Sequence, residues 1–179
     1  MIEVVGNLFE PPPRTSVICL TTNGIVRNDG AAVMGRGVAR EAVSRWPGIE
    51  YRLGHMLRAE GNVVHRLTVD GFVALGADMG RRYKSIPCSP NRKYWLQSSI
   101  EVPFDIFSLP VKHHWRDQAD LGLIEQSLTQ LKTATRHFGG LVVLPRPGCG
   151  NGRLTWAWVR PLVARVLNEN RFVVIERNP

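Results

Sequence analysis

The feature that most constrains this fold is a pair of glycine-rich segments, each placed between an apolar run and a stretch of helical character. The segments are residues 30–37 and 147–152, and the apolar runs before them are residues 16–20 and 141–144. Short apolar runs of this kind are typical of buried strands. Because strands and helices alternate along the chain, the sequence predicts an α/β domain with a largely parallel or mixed sheet.

The remaining predicted elements are bounded by capping and breaking residues. Helices are predicted over residues 38–46, 49–59 and 154–168, and a long helix is predicted to begin at Asp117 as its cap and to end at Gly139-Gly140. Strands are predicted over residues 104–109 and 172–175, and Asp70-Gly71 predicts a hairpin turn between residues 63–69 and 72–75.

Length and composition favour one domain over residues 1–179, in which 44% of the residues are hydrophobic. No apolar run is long enough for a membrane span, and the N-terminus lacks a signal-peptide pattern. Three cysteines without a C-x-x-C motif argue against a disulfide framework and a zinc site. We therefore expect a reduced, cytoplasmic protein, and we expect it to be a monomer.

The formal net charge of +8 favours polyanionic partners, although a basic surface can also serve solubility alone. Residues 78–101 combine five basic side chains with Tyr83, Tyr94 and Trp95, and two prolines interrupt them. We interpret this segment as a basic excursion that contacts single-stranded DNA, or whose aromatic residues pack the loop onto the core.

The two glycine-rich loops predict a phosphate-bearing ligand. Glycines let the backbone approach phosphate oxygens, and free N–H groups at a helix start donate to them. In open α/β sheets, ligands bind beyond the carboxyl ends of the strands. No G-x-x-x-x-G-K-[ST] motif occurs, and Gly35-Arg36-Gly37 lacks the third glycine of a dinucleotide fingerprint.

Four pieces of the chain resemble, in order, the motifs of the macrodomains, a family that binds ADP-ribose. The pieces are Gly6-Asn7-Leu8, then Thr21-Thr22-Asn23 with Val33-Met34-Gly35-Arg36-Gly37-Val38-Ala39, then Leu109-Pro110-Val111-Lys112-His113-His114-Trp115-Arg116, and finally Gly148-Cys149-Gly150-Asn151-Gly152-Arg153-Leu154-Thr155-Trp156. The resemblance is greatest to a lysine-dependent bacterial branch. It contains antitoxins that remove ADP-ribose from thymidine in DNA and enzymes that remove it from glutamate side chains.

The resemblance implies a three-layer α/β/α sandwich around a mixed six-stranded sheet, with no metal or other cofactor. It also implies an ADP-ribosyl hydrolase acting on thymidine-linked ADP-ribose in DNA, on glutamate- or aspartate-linked ADP-ribose in proteins, or on both. The alternatives are a non-catalytic ADP-ribose reader, a phosphatase acting on ADP-ribose 1″-phosphate, and a plain nucleic-acid-binding module.

Three residues are catalytic candidates. Lys112 could stabilise the leaving group or attack the anomeric carbon if burial and cationic neighbours lower its pKa. Asn23 would reach the hydroxyls of the distal ribose, or it forms a turn with Gly24. Asp29 could orient a water molecule as a general base, or its side chain could simply form a turn.

The resemblance also assigns a ligand-binding set from both loops and the first strand. This set is Asn7, Leu8, Gly30, Val33, Met34, Gly35, Arg36, Gly37, Pro147, Gly148, Cys149, Gly150, Asn151, Gly152 and Arg153. Cys149 could be a nucleophile at a helix start, and the resemblance favours a small residue beside the ligand instead. Arg153 either contacts the ligand or is solvated.

The chain departs from the family pattern at three positions. Leu20 replaces a usual asparagine, and Asn7 replaces an aspartate that helps to hold adenine. Gly152 stands where the glutamate-directed branch has a catalytic aspartate and where the DNA-directed branch has glycine.

Overall fold

A computed structural model of the chain describes residues 1–68, 72–74 and 99–177. The strands in these ranges are β1 (Ile2–Gly6), β2 (Thr15–Asn23), β3 (Phe72–Ala74), β4 (Ser99–Glu101), β5 (Asp105–Lys112), β6 (Leu141–Pro145) and β7 (Phe172–Arg177). The helices are α1 (Gly37–Arg45), α2 (Ile49–Glu60), α3 (Leu121–Ala134) and α4 (Trp156–Val166).

Five of the strands form one sheet in the order β1-β7-β6-β2-β5, and every neighbouring pair is parallel. The carboxyl ends of these strands therefore lie along the same edge. The register places Asn23 of β2 opposite Lys112 of β5, next to an irregularity in the pairing. Two candidate catalytic residues from distant parts of the chain are thus neighbours in the sheet.

The expectation of a mixed six-stranded sheet is wrong, since the described residues form a sheet of five parallel strands. Among the described residues, antiparallel pairing on the outer side of β5 is limited to one bridge, between Arg66 and Phe107. Side-chain hydroxyls take the next donors of this ladder, since the N–H of His65 donates to the hydroxyl of Ser108 at 2.9 Å and the N–H of Ile106 donates to that of Thr68 at 3.3 Å. These N–H groups are the ones that a longer ladder would pair with backbone carbonyls.

The predicted hairpin between residues 63–69 and 72–75 does not occur among the described residues. Phe72–Ala74 pairs antiparallel with Ser99–Glu101, in a separate two-stranded sheet. The Asp70-Gly71 turn lies outside the described residues, and so does the basic excursion up to residue 98.

Alternate residues of β2 point into two different cores, which makes the domain a three-layer α/β/α sandwich. Ile18 and Leu20 pack with residues of α1 and α2, such as Ala42 and Leu53. Val17 and Cys19 pack on the other face, with residues of α3 and α4. This is the period-2 alternation of a strand buried on both faces.

The helices follow the predicted pattern, with corrections at both ends of α3, which ends at Ala134 and not at Gly139-Gly140. Asp120, not Asp117, is its cap, since a carboxylate oxygen of Asp120 accepts a hydrogen bond from the N–H of Leu123 at 3.1 Å. Among the described residues, no helix has the length and apolar character that a membrane crossing requires.

Candidate functional site

A cleft of about 780 Å³ lies at the carboxyl edge of the parallel sheet. The ends of β1, β2, β5, β6 and β7 contribute to it, together with the two glycine-rich loops. This volume is within the range of small-molecule sites, and the edge is where open α/β sheets bind ligands. The five strand ends therefore border a cleft at the edge where the sequence predicted a ligand.

Side chains and a neighbouring helix hold the first loop, between β2 and α1. The side-chain N–H of Asn23 donates to the carbonyl of Val33 at 2.8 Å, and the Asn23 side-chain oxygen accepts from the N–H of Ile25 at 3.1 Å. The N–H of Ala32 donates to the carbonyl of Glu50 in α2 at 2.8 Å. The amides of residues 34–36 donate to no acceptor in the described part of the chain, so they can serve a ligand.

Backbone hydrogen bonds hold most of the second loop, between β6 and α4, and the amine of Lys112 donates to the carbonyl of Asn151 within it. The N–H of Leu154 donates to the carbonyl of Gly148 at 3.0 Å, and the N–H of Ala119 donates to the carbonyl of Gly152 at 2.9 Å. The amides of residues 150–152 find no acceptor among the described residues. The loop therefore presents a second set of unused donors to the cleft.

The glycines of this second loop have different steric surroundings. A Cβ atom on Gly152 would lie 2.2 Å from the carbonyl oxygen of Gly148, which excludes any side chain in this conformation. Gly148 has a φ of +75°, a conformation that favours glycine. A Cβ atom on Gly150 would meet nothing within 4 Å. Backbone packing thus requires glycine at Gly152 but not at Gly150.

Lys112 lies at the end of β5, in the lining of the cleft, and only 7% of the residue is exposed. Its amine donates to the carbonyl of Asn151 at 2.5 Å and to that of Trp115 at 3.4 Å. It forms no ion pair with a carboxylate of the described residues. A buried lysine that is held by carbonyls is unusual, because most lysines keep their charge in water.

Burial lowers the pKa of Lys112 from its ordinary value, and the positive charges of Arg153 and Arg36 lower it further. The carboxylate of Asp117 acts in the opposite direction. Arg153 and Arg36 are therefore the cationic neighbours of Lys112, and Arg36 comes from a distant part of the chain.

The three candidate catalytic residues have different positions. Lys112 and Asn23 both line the cleft. Asp29 does not, since its carboxylate accepts a hydrogen bond from the N–H of Ala31 at 3.0 Å and lies 3.0 Å from the guanidinium of Arg27. This is the turn geometry that the sequence left open as the alternative for Asp29.

Most of the predicted ligand-binding set lines the cleft together. These residues are Asn7, Leu8, Val33, Met34, Gly35, Arg36, Gly37, Gly148, Cys149, Gly150, Asn151 and Gly152. Gly30, Pro147 and Arg153 do not belong to the lining. Arg153 donates to the carbonyl of Arg116 at 3.0 Å, so it influences the site through its charge and through this contact.

Burial raises the pKa of the Cys149 thiol, against a smaller opposing effect of Arg146. A thiol with a raised pKa carries little thiolate at neutral pH and is a weak nucleophile. The raised pKa of Cys149 and its place in the lining therefore favour the other interpretation, a small residue beside the ligand.

Sequence reasoning missed two parts of the site. Gly54 lies inside α2, yet a Cβ atom there would be 2.0 Å from the carbonyl oxygen of Gly30, so α2 directly supports the first loop. At the other end of the cleft, the guanidinium of Arg146 lies 5.1 Å from the ring centre of Trp156 and forms an ion pair with Glu176. A glycine in a helical pattern was the available signal for Gly54. No local pattern singles out the contact of Arg146 with Trp156.

Solved structures with the same architecture include several macrodomains. The macrodomain of Mycobacterium tuberculosis DarG has 21% sequence identity and a TM-score of 0.67, over 99% of this chain and 97% of that one. The macrodomain of Thermus aquaticus DarG has 23% identity and a TM-score of 0.63, over 99% and 97%. Thermosipho africanus DarTG, solved in complex with ADP-ribose, has 20% identity and a TM-score of 0.67 over 98% of this chain and 41% of that one.

No protein-family model matches the chain, and no curated protein sequence matches it. At these identities, the structural likeness describes the fold alone.

Proposed function

We propose that this chain, whose fold is that of the macrodomains, is an ADP-ribosyl hydrolase that releases ADP-ribose from thymidine in DNA. The observation that carries this proposal is Lys112, a buried lysine at the cleft. A protein that only binds ADP-ribose has no evident need for a buried amine of lowered pKa.

The cleft suits ADP-ribose in size and in donors. Its volume of about 780 Å³ is adequate for a dinucleotide-sized ligand. The unused amides of residues 34–36 and 150–152 come from two loops that meet at the cleft, since a Cβ atom on Gly37 would lie 3.3 Å from the side-chain nitrogen of Asn151. Two such sets of donors suit a pyrophosphate. Among the neighbours, the DarTG structure holds ADP-ribose.

Lys112 would act on the bond between the distal ribose and its target. Hydrolysis breaks the bond from the anomeric carbon to the leaving atom, adds the hydroxyl of water to that carbon, and leaves the proton on the departing group. A lowered pKa makes the ammonium a better proton donor and makes the free amine more available as a nucleophile. The pH dependence of the rate separates these two roles.

Gly152 favours a thymidine linkage over a glutamate linkage. The glutamate-directed branch carries an aspartate at the matching position, and a side chain there would collide with the carbonyl of Gly148. The loop as folded therefore has no place for that carboxylate. The antitoxin branch, which acts on DNA, has glycine at the same position.

The test is incubation with thymidine-ADP-ribosylated single-stranded DNA and, separately, with glutamate-ADP-ribosylated protein. Lys112→Met keeps most of the buried stem and removes the amine, whereas Lys132→Met, on α3, removes an amine that is held by Val166 and Asn168 away from the cleft. We expect release from the DNA to fall about 10²- to 10⁴-fold in Lys112→Met and to persist in Lys132→Met.

Three results would contradict the proposal. Binding of ADP-ribose in calorimetry without release from either substrate would make the protein a reader. Phosphate release from ADP-ribose 1″-phosphate as the main reaction would make it a phosphatase. Absence of ADP-ribose binding would remove the common premise of all three functions.

A further inference from the structure

Trp115 is an exposed tryptophan that lines the cleft. It is 45% exposed and follows Lys112 by three residues. A second tryptophan, Trp158, is 70% exposed and does not belong to the lining. Tryptophan is enriched at binding interfaces, because it combines a large apolar ring with a polar N–H group. The two tryptophans therefore form a natural pair for comparison.

The neighbours of Trp115 in the chain contact its ring. The ring of His114 stacks on it with a centroid distance of 5.5 Å and an angle of 27°. The guanidinium carbon of Arg116 lies 4.6 Å from the ring centre. The N–H of Arg116 also donates to a ring nitrogen of His114 at 3.2 Å. We call these three residues the mouth stack. Its three members thus contact one another through ring stacking, a cation–π contact and a hydrogen bond.

The mouth stack lies directly beside the reacting end of the proposed site. The carbonyl of Trp115 itself accepts a hydrogen bond from the amine of Lys112 at 3.4 Å. Arg153, which lowers the pKa of Lys112, donates to the carbonyl of Arg116 at 3.0 Å. A group attached to the distal ribose at Lys112 would therefore leave the cleft past this stack.

Charge at this part of the cleft favours a polyanion. Arg36 and Arg153 add positive charge around Lys112, against the carboxylate of Asp117, and Arg116 adds positive charge at the ring of Trp115. A nucleobase has a π-face for stacking on an aromatic ring or a guanidinium, and its strand carries phosphates. A glutamate side chain offers no such face. Aromatic and cationic groups together thus suit nucleic acid better than a modified protein.

We propose that the mouth stack binds the nucleobase that carries the ADP-ribose, with Trp115 as the stacking ring, so that the cleft recognises a modified base in a single strand. This inference rests on the proposed hydrolase function and deepens it by naming the residues that recognise the leaving group. Trp115 is a specificity residue here, and Lys112 remains the group that reacts.

The test measures binding of a fluorescent, thymidine-ADP-ribosylated single-stranded oligonucleotide, in a Lys112→Met background that keeps the substrate intact. Trp115→Ala is expected to weaken binding about tenfold, in line with base stacking on an aromatic side chain. Trp158→Ala is expected to change it less than twofold. Trp115→Phe, which retains a ring, is expected to recover most of the affinity.

Free ADP-ribose, measured by calorimetry in the same variants, distinguishes recognition of the base from recognition of ADP-ribose. We expect its affinity to be the same in Trp115→Ala and Trp158→Ala. Equal oligonucleotide affinities in these two variants would overturn the proposal, and so would an equal loss for free ADP-ribose and for the oligonucleotide in Trp115→Ala.

A failure of the proposed function has a different signature. In that case the chain with Lys112 intact releases no ADP-ribose, while the affinities in the Lys112→Met background still report on the mouth stack. If free ADP-ribose does not bind at all, both the function and this inference fall together.

Discussion

The two glycine-rich loops border the same cleft, yet different contacts support each of them most closely. Side-chain and helix contacts hold the first loop, through Asn23 and through the close approach of Gly54 to Gly30. Backbone packing holds the second loop, in which Gly152 lies against Gly148. The comparison teaches that a glycine motif alone does not show which glycine is required. The atoms that contact a loop decide where a substitution lowers the free energy of unfolding.

The largest effect is expected at Gly152. Alanine there would place a Cβ atom 2.2 Å from the carbonyl of Gly148, so the second loop must move. We expect Gly152→Ala to lower the free energy of unfolding by about 3 kcal/mol, the upper end for overpacking. Urea unfolding measures this cost. Gly150→Ala is the matched control, since its Cβ would meet nothing within 4 Å. Equal stabilities of the two variants would contradict the backbone-packed description of this loop.

Gly54→Ala tests the contact between helix α2 and the first loop. Alanine normally stabilises a helix interior relative to glycine by about 0.5–1 kcal/mol. Here its Cβ would lie 2.0 Å from the carbonyl of Gly30. We therefore expect a destabilisation of about 2 kcal/mol in thermal unfolding, because overpacking outweighs helix propensity. Gly139→Ala, where space is open, serves as the control. A more stable Gly54→Ala variant would show that α2 does not support the loop.

Asn23→Ala removes the side-chain contacts that tie the first loop to β2. Two hydrogen bonds are lost, and each contributes about 0.5–1.5 kcal/mol. We expect a loss of about 1 kcal/mol or more in stability, together with weaker ADP-ribose binding in calorimetry.

Asp29→Ala is the comparison variant within the same loop. Its ion pair with Arg27 joins side chains that are about half exposed, and such surface pairs are worth about 1 kcal/mol or less. If Asp29→Ala abolished hydrolysis while Asn23→Ala did not, Asp29 would be the general base after all.

The smallest expected effect is a shift of the pH–rate profile when a charged side chain near Lys112 is replaced. Arg153, beside the second loop, has a larger influence on the pKa of Lys112 than Arg36 of the first loop, and both lower it. Removing either positive charge should raise that pKa, so the pH–rate profile should move to higher pH, further in Arg153→Gln than in Arg36→Gln. Asp117→Asn should move it to lower pH, because that carboxylate raises the pKa.

Profiles of hydrolysis rate against pH for the three variants check these directions. A midpoint that stays fixed in all three would assign the titration to a group other than Lys112.

Local patterns predicted the secondary structure because they need only neighbours in the chain. The apolar runs of β2, β6 and β7 and the stripe of α3 appear where expected. The start of α3 was misplaced, because Asp117 and Asp120 are both plausible caps by sequence and only backbone geometry selects Asp120. The sixth strand was predicted wrongly for a related reason. Residues 65–67 lie beside β5, but the hydroxyls of Ser108 and Thr68 accept from N–H groups that a longer ladder would use.

The candidate site was predictable as a set of motifs but not as a geometry. The glycines indicated both loops, the resemblance to the macrodomain motifs indicated Lys112 and Asn23, and the structure brings these to one cleft. Asp29, Gly30 and Arg153 do not line the cleft. Each of them nevertheless lies within a few positions of a residue that does. Neighbours in the sequence can point to opposite sides of a turn, so proximity in the chain does not place a side chain in a cleft.

What the sequence determined by itself is therefore the alternation of strands and helices, the two glycine-rich loops, and the presence of a lysine at a strand end. Only the tertiary structure decided that Lys112 is buried, that the carbonyl of Asn151 accepts from its amine, and that Gly152 has no room for a side chain. The physical reason is distance along the chain. Periodicity depends on residues a few positions apart, whereas a lowered pKa or a steric exclusion depends on groups that only packing brings together.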